Sequence, residues 1–222
     1  MIPINTLYVA LRRASKFDNF CIGTAIIWKY GYISQSTYNN RMPKMNFCPN
    51  CGGALVDLGR DSHPVCERCG TTHWRNSKPT AGVLIENQHG ELLIVKRAFE
   101  PFKGEWDLPG GFLEPGEPPE AGAIREVKEE LNVDVQLTGL LGVYMDVYGD
   151  SSYEYTLNFY YLGFITAGTI QAADDVGEAH WFSLENVPAT MAFAHDRDVM
   201  ADWKKSRAGR VDGVSSSILS DK

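Results

Sequence analysis

Four cysteines in two short pairs constrain this chain more than any other feature. They read Cys48-Pro-Asn-Cys51 and Cys66-Glu-Arg-Cys69, with fourteen residues between the pairs. One C-x-x-C knuckle sets two thiolates on a tight turn, and two knuckles at this separation close a tetrahedral cage for Zn²⁺. Gly52, Gly53 and Gly70 follow the knuckles and let the chain turn closely around the sulfurs. Two disulfides, or a redox pair, are the competing readings. A redox motif needs only one such pair beside a βαβ unit, and nothing in the opening residues reads as the secretory signal that would favour disulfides. With four protein ligands the expected zinc site is closed and structural. His63 and His73 lie nearby and are expected to be packing or surface residues.

Charge divides the chain. Residues 1–44 carry six basic residues and one acid, Asp18, whereas the whole chain of 222 residues has a net charge of −7. This leader, which holds the fifth cysteine, Cys21, reads as a poorly ordered extension, as a stretch upstream of a true start at Met45, or as an organelle transit peptide. No chemistry is expected in it. The acidic balance argues against coating nucleic acid or an anionic membrane. No apolar run approaches a membrane span, so a cytoplasmic protein is expected. At 44% hydrophobic residues the chain can bury a core of ordinary size.

Beyond a linker at Trp74–Pro79, Thr80–Glu86 is β-branched and apolar, and Glu91–Arg97 returns after a turn at Asn87–Gly90. Lys103–Gly111 is loop-rich and ends in Pro109-Gly110-Gly111. Pro118 and Pro119 suit a helix start, and the helix runs to about Asn132. Strand-like runs follow at Val133–Tyr148, expected to break near Gly139 or Gly142, and at Tyr153–Thr166. A short strand is expected at His180–Phe182, a short helix at Leu184–Val187 and a longer one at Asp196–Ser206. Strands with inserted helices indicate an α+β fold. The divisions expected are a leader (1–44), a ribbon (45–76), a main domain (77–208) and a flexible tail (209–222).

The helix carries the chemistry. In Arg125-Glu126-Val127-Lys128-Glu129-Glu130, a 100° step puts Glu126, Glu129 and Glu130 on one face and Ile124, Val127 and Leu131 on another. Like charges at these spacings repel, so the face is either a solvated acidic surface or a seat for a hard divalent cation such as Mg²⁺ or Mn²⁺.

The residues upstream carry a resemblance that bears on this choice. From Gly111 the chain reads five residues, Glu117, seven residues, then Arg125-Glu126-Val127-x-Glu129-Glu130-x-x-Val133. This resembles the Nudix box, G-x5-E-x7-R-E-U-x-E-E-x-G-U, with Asn132 at the late glycine. Asparagine also takes the left-handed conformation at a helix end. From Met45 the chain is similar to the zinc-ribbon Nudix hydrolases, with a ribbon spacing like that of the NADH pyrophosphatases. The resemblance implies an αβα sandwich with a mixed sheet behind a small four-cysteine ribbon.

It also implies Mg²⁺- or Mn²⁺-dependent hydrolysis of a nucleoside diphosphate linked to another moiety, of the ADP-ribose, NADH or FAD type. Glu126 and Glu130 would hold the cation with Glu129 assisting, and a carbonyl near Gly110 or Gly111 would join them. Arg125 would brace the loop through Glu117. A further ligand or base comes from a downstream acidic loop, here Asp174-Asp175-Val176-Gly177-Glu178, with Glu178 expected. Phe102, Trp106, Phe112 and Tyr144 are candidates to stack a base, and the segment Met191–Ala194 with His195 is a weaker one. The Ser-Gln-Pro-Trp motif of NADH pyrophosphatases is absent from Asp146–Tyr155. The partner implied is a small nucleotide-derived substrate, with nucleic acid confined to a capped RNA end, and a homodimer is compatible. The competing class is a non-catalytic nucleotide binder or a ribbon docking module.

Overall fold

The computed structural model describes residues 45–57, 63–149 and 154–214. The leader with Cys21 and the last eight residues lie outside the described residues. Strands β1 (Leu55–Asp57) and β2 (Pro64–Cys66) pair antiparallel, with Leu55 opposite Cys66. Both knuckles fold alike. The Gly52 N–H donates to the Cys48 carbonyl at 2.8 Å and the Gly70 N–H to the Cys66 carbonyl at 2.9 Å. Both glycines have φ of 71°, which side chains rarely tolerate.

The remainder builds two sheets. Strands β3 (Lys78–Ile85), β6 (Gly110–Phe112), β7 (Val133–Val147) and β8 (Tyr155–Gly168) run in the order β6-β3-β8-β7. Only β3 and β8 pair parallel, so this sheet is mixed. Strands β4 (Leu92–Arg97), β5 (Trp106–Asp107) and β9 (Val176–Phe182) form the second sheet, in the order β5-β4-β9.

Alternation along the central strands explains the layers. Ala81, Val83 and Ile85 of β3 and Leu93 and Val95 of β4 face helix α1 (Pro119–Leu131). Leu84, Leu92 and Ile94 face the other way, onto Val199, Met200 and Trp203 of helix α2 (Asp196–Val214). Successive strand residues point to opposite faces, and both faces are covered by a helix, which is why these strands are almost uniformly apolar. The result is the αβα sandwich and the α+β class. Among the described residues no helix is long and apolar enough to cross a membrane.

Four expectations are corrected. The strand after α1 does not break: Gly139 and Gly142 mark register shifts within β7, where a bulge absorbs the extra residue. Residues 184–187 form a turn rather than a helix, closed by the Asn186 N–H to the Ser183 carbonyl at 3.0 Å; one turn ahead of Pro188 is too short to propagate. The last helix runs past Ser206 to Val214. On α1 the docking stripe is Ala123, Val127 and Leu131, all fully buried, while Ile124 is 41% exposed. The small residues Gly122 and Ala123 sit against the protein, with Leu113 packed over Gly122, so closeness of approach rather than hydrophobicity sets the stripe.

Candidate active site

Helix α1 and the loop before it are locked together by one arginine. Arg125 donates from Nε and Nη2 to both oxygens of Glu117 at 2.8 Å, and from Nη1 to Glu126 and Glu129 at 2.8 Å. Its Nη2 also reaches the Phe112 carbonyl at 3.0 Å. A planar guanidinium with five donors is suited to this fan, which a lysine would not reproduce. The bidentate bond holds the Glu117 carboxyl down at about 2. Asn132 ends the helix in the left-handed conformation, φ 55°.

The strand-forming glycines bring backbone against the carboxylates. A side chain at Gly111 would meet the Glu126 carboxylate at 2.6 Å, and one at Gly110 would strike the β3 backbone at Ala81 and Gly82. The Gly110 N–H donates to Glu130 Oε2 at 3.0 Å. Glu130 is 3% exposed. Burial, and then the charge of the neighbouring Asp175, push its carboxyl well above the ordinary value. Burial also raises Glu126, against the pull of Arg125. Glu129 is about half exposed. A buried acid held beside further acids is costly unless a proton or a cation joins them.

A cavity of about 90 Å³ opens beside this cluster, with Gly110, Gly111, Asp175, Phe112, Tyr148 and Phe193 among its walls. Of the four aromatics expected to stack a base, Phe112 lines it, and so do Phe193 and His195 of the segment named as the weaker candidate. Phe102 packs edge-on behind Phe193 at 5.3 Å. Trp106 packs on His180 and Phe182, and Tyr144 lies in the α2-side core. Glu178 points elsewhere as well, pairing with Lys96 at 3.6 Å and His180 at 3.1 Å. It is β9 geometry that separates them: Asp175 precedes the strand and faces Glu130, whereas Glu178 lies within it, opposite Lys96. Of the acidic loop Asp174–Glu178 the structure brings Asp175 toward Glu130, while the expected Glu178 is turned to Lys96 and His180.

The cavity floor is a buried polar network. His195 Nδ1 lies 2.7 Å from Asp146 and its Nε2 3.0 Å from the Tyr160 hydroxyl. Burial pulls the His195 pKa down, but the Asp146 bond and the Asp196 charge outweigh it and raise it. Burial, then the charge of Asp107, push Asp196 up to about 7.

Comparison with known proteins fixes the family. The NUDIX domain model matches residues 76–203. The chain belongs to the Nudix family.

Within that family it is similar to the ADP-ribose pyrophosphatase of Methanocaldococcus jannaschii, 35% identical over 126 residues, which are 57% of this chain and 72% of that protein. It is 26% identical over 175 residues to the NAD-capped RNA hydrolase NudC of Pseudomonas aeruginosa, and spans 56% of that protein's length. The crystal structure of a NUDIX hydrolase from Nitrosomonas europaea superposes with a TM-score of 0.62 at 26% identity, covering 73% of this chain and 93% of that one. This Nudix chain is accordingly a hydrolase.

Its two candidate metal centres differ in finish. The four sulfurs lie within 4.8 Å of one another, with Cys48–Cys69 at 3.8 Å and Cys51–Cys66 at 3.5 Å. Zinc–sulfur bonds of about 2.3 Å in a tetrahedron require sulfurs about 3.8 Å apart, far beyond the ~2.05 Å of a disulfide. The cluster therefore fits a zinc ribbon. His73 Nε2 stands 3.3 Å from Cys48 Sγ, placed to bond a ligand rather than to replace one. The carboxylates form no such compact set, Glu126 and Glu129 being drawn to Arg125. Their oxygens are nonetheless the hard donors that Mg²⁺ or Mn²⁺ takes.

Proposed function

We propose that this Nudix hydrolase splits the pyrophosphate bond of a nucleoside diphosphate linked to another moiety, with ADP-ribose as the first candidate. Water adds across the anhydride to give AMP and ribose 5-phosphate. One observation carries the reading: Glu130, buried and fixed by the Gly110 N–H, stands with Asp175 beside a cavity that Gly110 and Gly111 line. The greater identity to the ADP-ribose pyrophosphatase, over most of that protein, supports ADP-ribose ahead of a capped RNA end.

In this reading Glu126 and Glu130 hold Mg²⁺ or Mn²⁺ with Glu129 in support. The cation, when bound, neutralises charge on the diphosphate and acidifies water. Asp175 takes the role of further ligand or proton acceptor that the sequence had given to Glu178. Arg125 and Glu117 keep the loop against the helix, and glycine at 111 lets backbone and phosphate approach the carboxylates. The ribbon holds structural Zn²⁺ on Cys48, Cys51, Cys66 and Cys69.

The test is a panel of ADP-ribose, NADH, FAD and NAD-capped RNA with Mg²⁺, products identified by ³¹P NMR. The reading expects AMP and ribose 5-phosphate from ADP-ribose. Absence of turnover on every member, or release of inorganic phosphate alone, contradicts it.

A further inference from the structure

We propose that Tyr148 and Phe193 form a stacking wall for the nucleobase of the substrate, purines ahead of pyrimidines, and that the Asp146–His195 pair positions this wall. The inference deepens the proposed hydrolysis and rests on it only in that the base belongs to the same substrate.

Three aromatic rings line the cavity next to the carboxylate end. Tyr148 and Phe193 lie nearly parallel, 20° apart with centroids 5.9 Å apart, and Phe112 meets Tyr148 edge-on at 5.2 Å. All three are only partly covered, Phe112 being 38% exposed. Phe193 also meets the Phe102 edge at 5.3 Å and the Arg97 guanidinium, which lines the same cavity and lies 5.3 Å from the ring centroid. Rings held by such contacts and open to a cavity offer area at little entropic cost, and base stacking on them is tolerant of base identity.

The rings come from distant segments, Tyr148 from the end of β7 and Phe193 from the loop before α2. One rung joins them. Asp146 Oδ2 accepts from the His195 backbone N–H at 2.8 Å and lies 2.7 Å from its Nδ1. Asp146 stands two residues before Tyr148, and His195 two after Phe193. The pair is almost sealed from water, with side chains 4% and 13% exposed, so screening by salt is weak. It acts through Phe193 and Tyr148, as a positioning pair.

The polar floor explains what the wall does not read. The Thr80 hydroxyl donates to Asn158 Oδ1 at 2.6 Å, and Asn158 Nδ2 donates to the Tyr144 carbonyl and to Thr156. The Tyr160 hydroxyl is taken by His195 and Asp196. With these groups bonded to one another, recognition falls to ring area, which separates purine from pyrimidine more than adenine from guanine.

Calorimetric binding of AMP, GMP, UMP and ribose 5-phosphate to the full chain tests this without turnover. AMP and GMP should bind within about threefold of each other and about tenfold tighter than ribose 5-phosphate, with UMP between. Phe193→Leu and Tyr148→Leu should each remove most of that advantage. Asp146→Asn should raise KM for ADP-ribose more than it lowers kcat, and should add little in the Phe193→Leu background, since the pair works through that ring. Equal affinity of the wild-type chain for AMP and ribose 5-phosphate overturns the proposal, as does a leucine variant that keeps the advantage. If the variants fail to fold, the wild-type comparison decides alone. A base advantage without hydrolysis would leave the wall standing and sink the hydrolytic reading; hydrolysis without a base advantage would do the reverse.

Discussion

The ribbon gathers four thiols and helix α1 three carboxylates, and they gather them in opposite ways. The sulfurs converge within 4.8 Å of one another on two matching turns. Glu126 and Glu129 of α1 instead share Arg125, while Glu130 is buried against the Gly110 N–H. A cage whose ligands all belong to the chain is complete without substrate, and this one joins two knuckles beside strands of only three residues each. The α1 carboxylates lie beside a cavity that Asp175 lines, and in the proposed reading they keep coordination positions for substrate and water. In that reading the difference separates a site that stabilises from a site that reacts.

The sharpest way to break that contrast is at Glu130. Glu130→Gln keeps an acceptor for the Gly110 N–H and removes the charge, so kcat should fall about 10³-fold while the melting temperature holds or rises, read by steady-state kinetics and calorimetry. Unchanged turnover would put the chemistry elsewhere. In the ribbon the outcome should be inverted: Cys48→Ser should reduce bound zinc, measured by elemental analysis, from about one ion per chain toward none. The core around Val127 and Trp203 should still melt cooperatively. Loss of that core along with zinc would mean that the two regions fold as one.

Smaller effects sharpen the picture of α1. Val127→Ala should cost about 2 kcal/mol in denaturant unfolding, because Val127 is fully buried. Ile124→Ala should cost under about 1 kcal/mol, its side chain being partly exposed. Glu117→Gln should lower activity about tenfold by loosening the loop. Because the Glu117 carboxyl titrates at about 2 in the folded chain, below its unfolded value, its contribution to stability is present above the unfolded value and disappears as pH falls toward 2. Stability curves of wild type and variant should converge there, and a gap that persists would point to another cause. Glu178→Gln should change kcat less than about threefold, since Glu178 is taken up by Lys96 and His180.

The parts of this molecule that were legible in the sequence are those fixed by local spacing. The cysteine knuckles, the helix start at Pro119 and the left-handed Asn132 are all decided within a few residues. So was the Glu117–Arg125 contact, once the motif had been recognised. The parts that were missed depend on which strands pair and which way a face turns. Trp106 and Tyr144 looked like pocket aromatics, yet β5 and β7 turn them into packing. Tyr148, Asp146 and Asp175 carry no local signal, since their surroundings are made by segments tens of residues away. Alternation identified the strands, and it could not say which of the three acids Asp174, Asp175 and Glu178 would face Glu130.

The most direct test of the central claim is a Mn²⁺ titration followed by electron paramagnetic resonance, comparing the full chain with Glu130→Gln. The account predicts that the wild-type chain binds the cation and that the variant binds it at least about tenfold more weakly. Equal affinity in the two proteins would show that the carboxylates of α1 do not hold the metal, and would contradict the account.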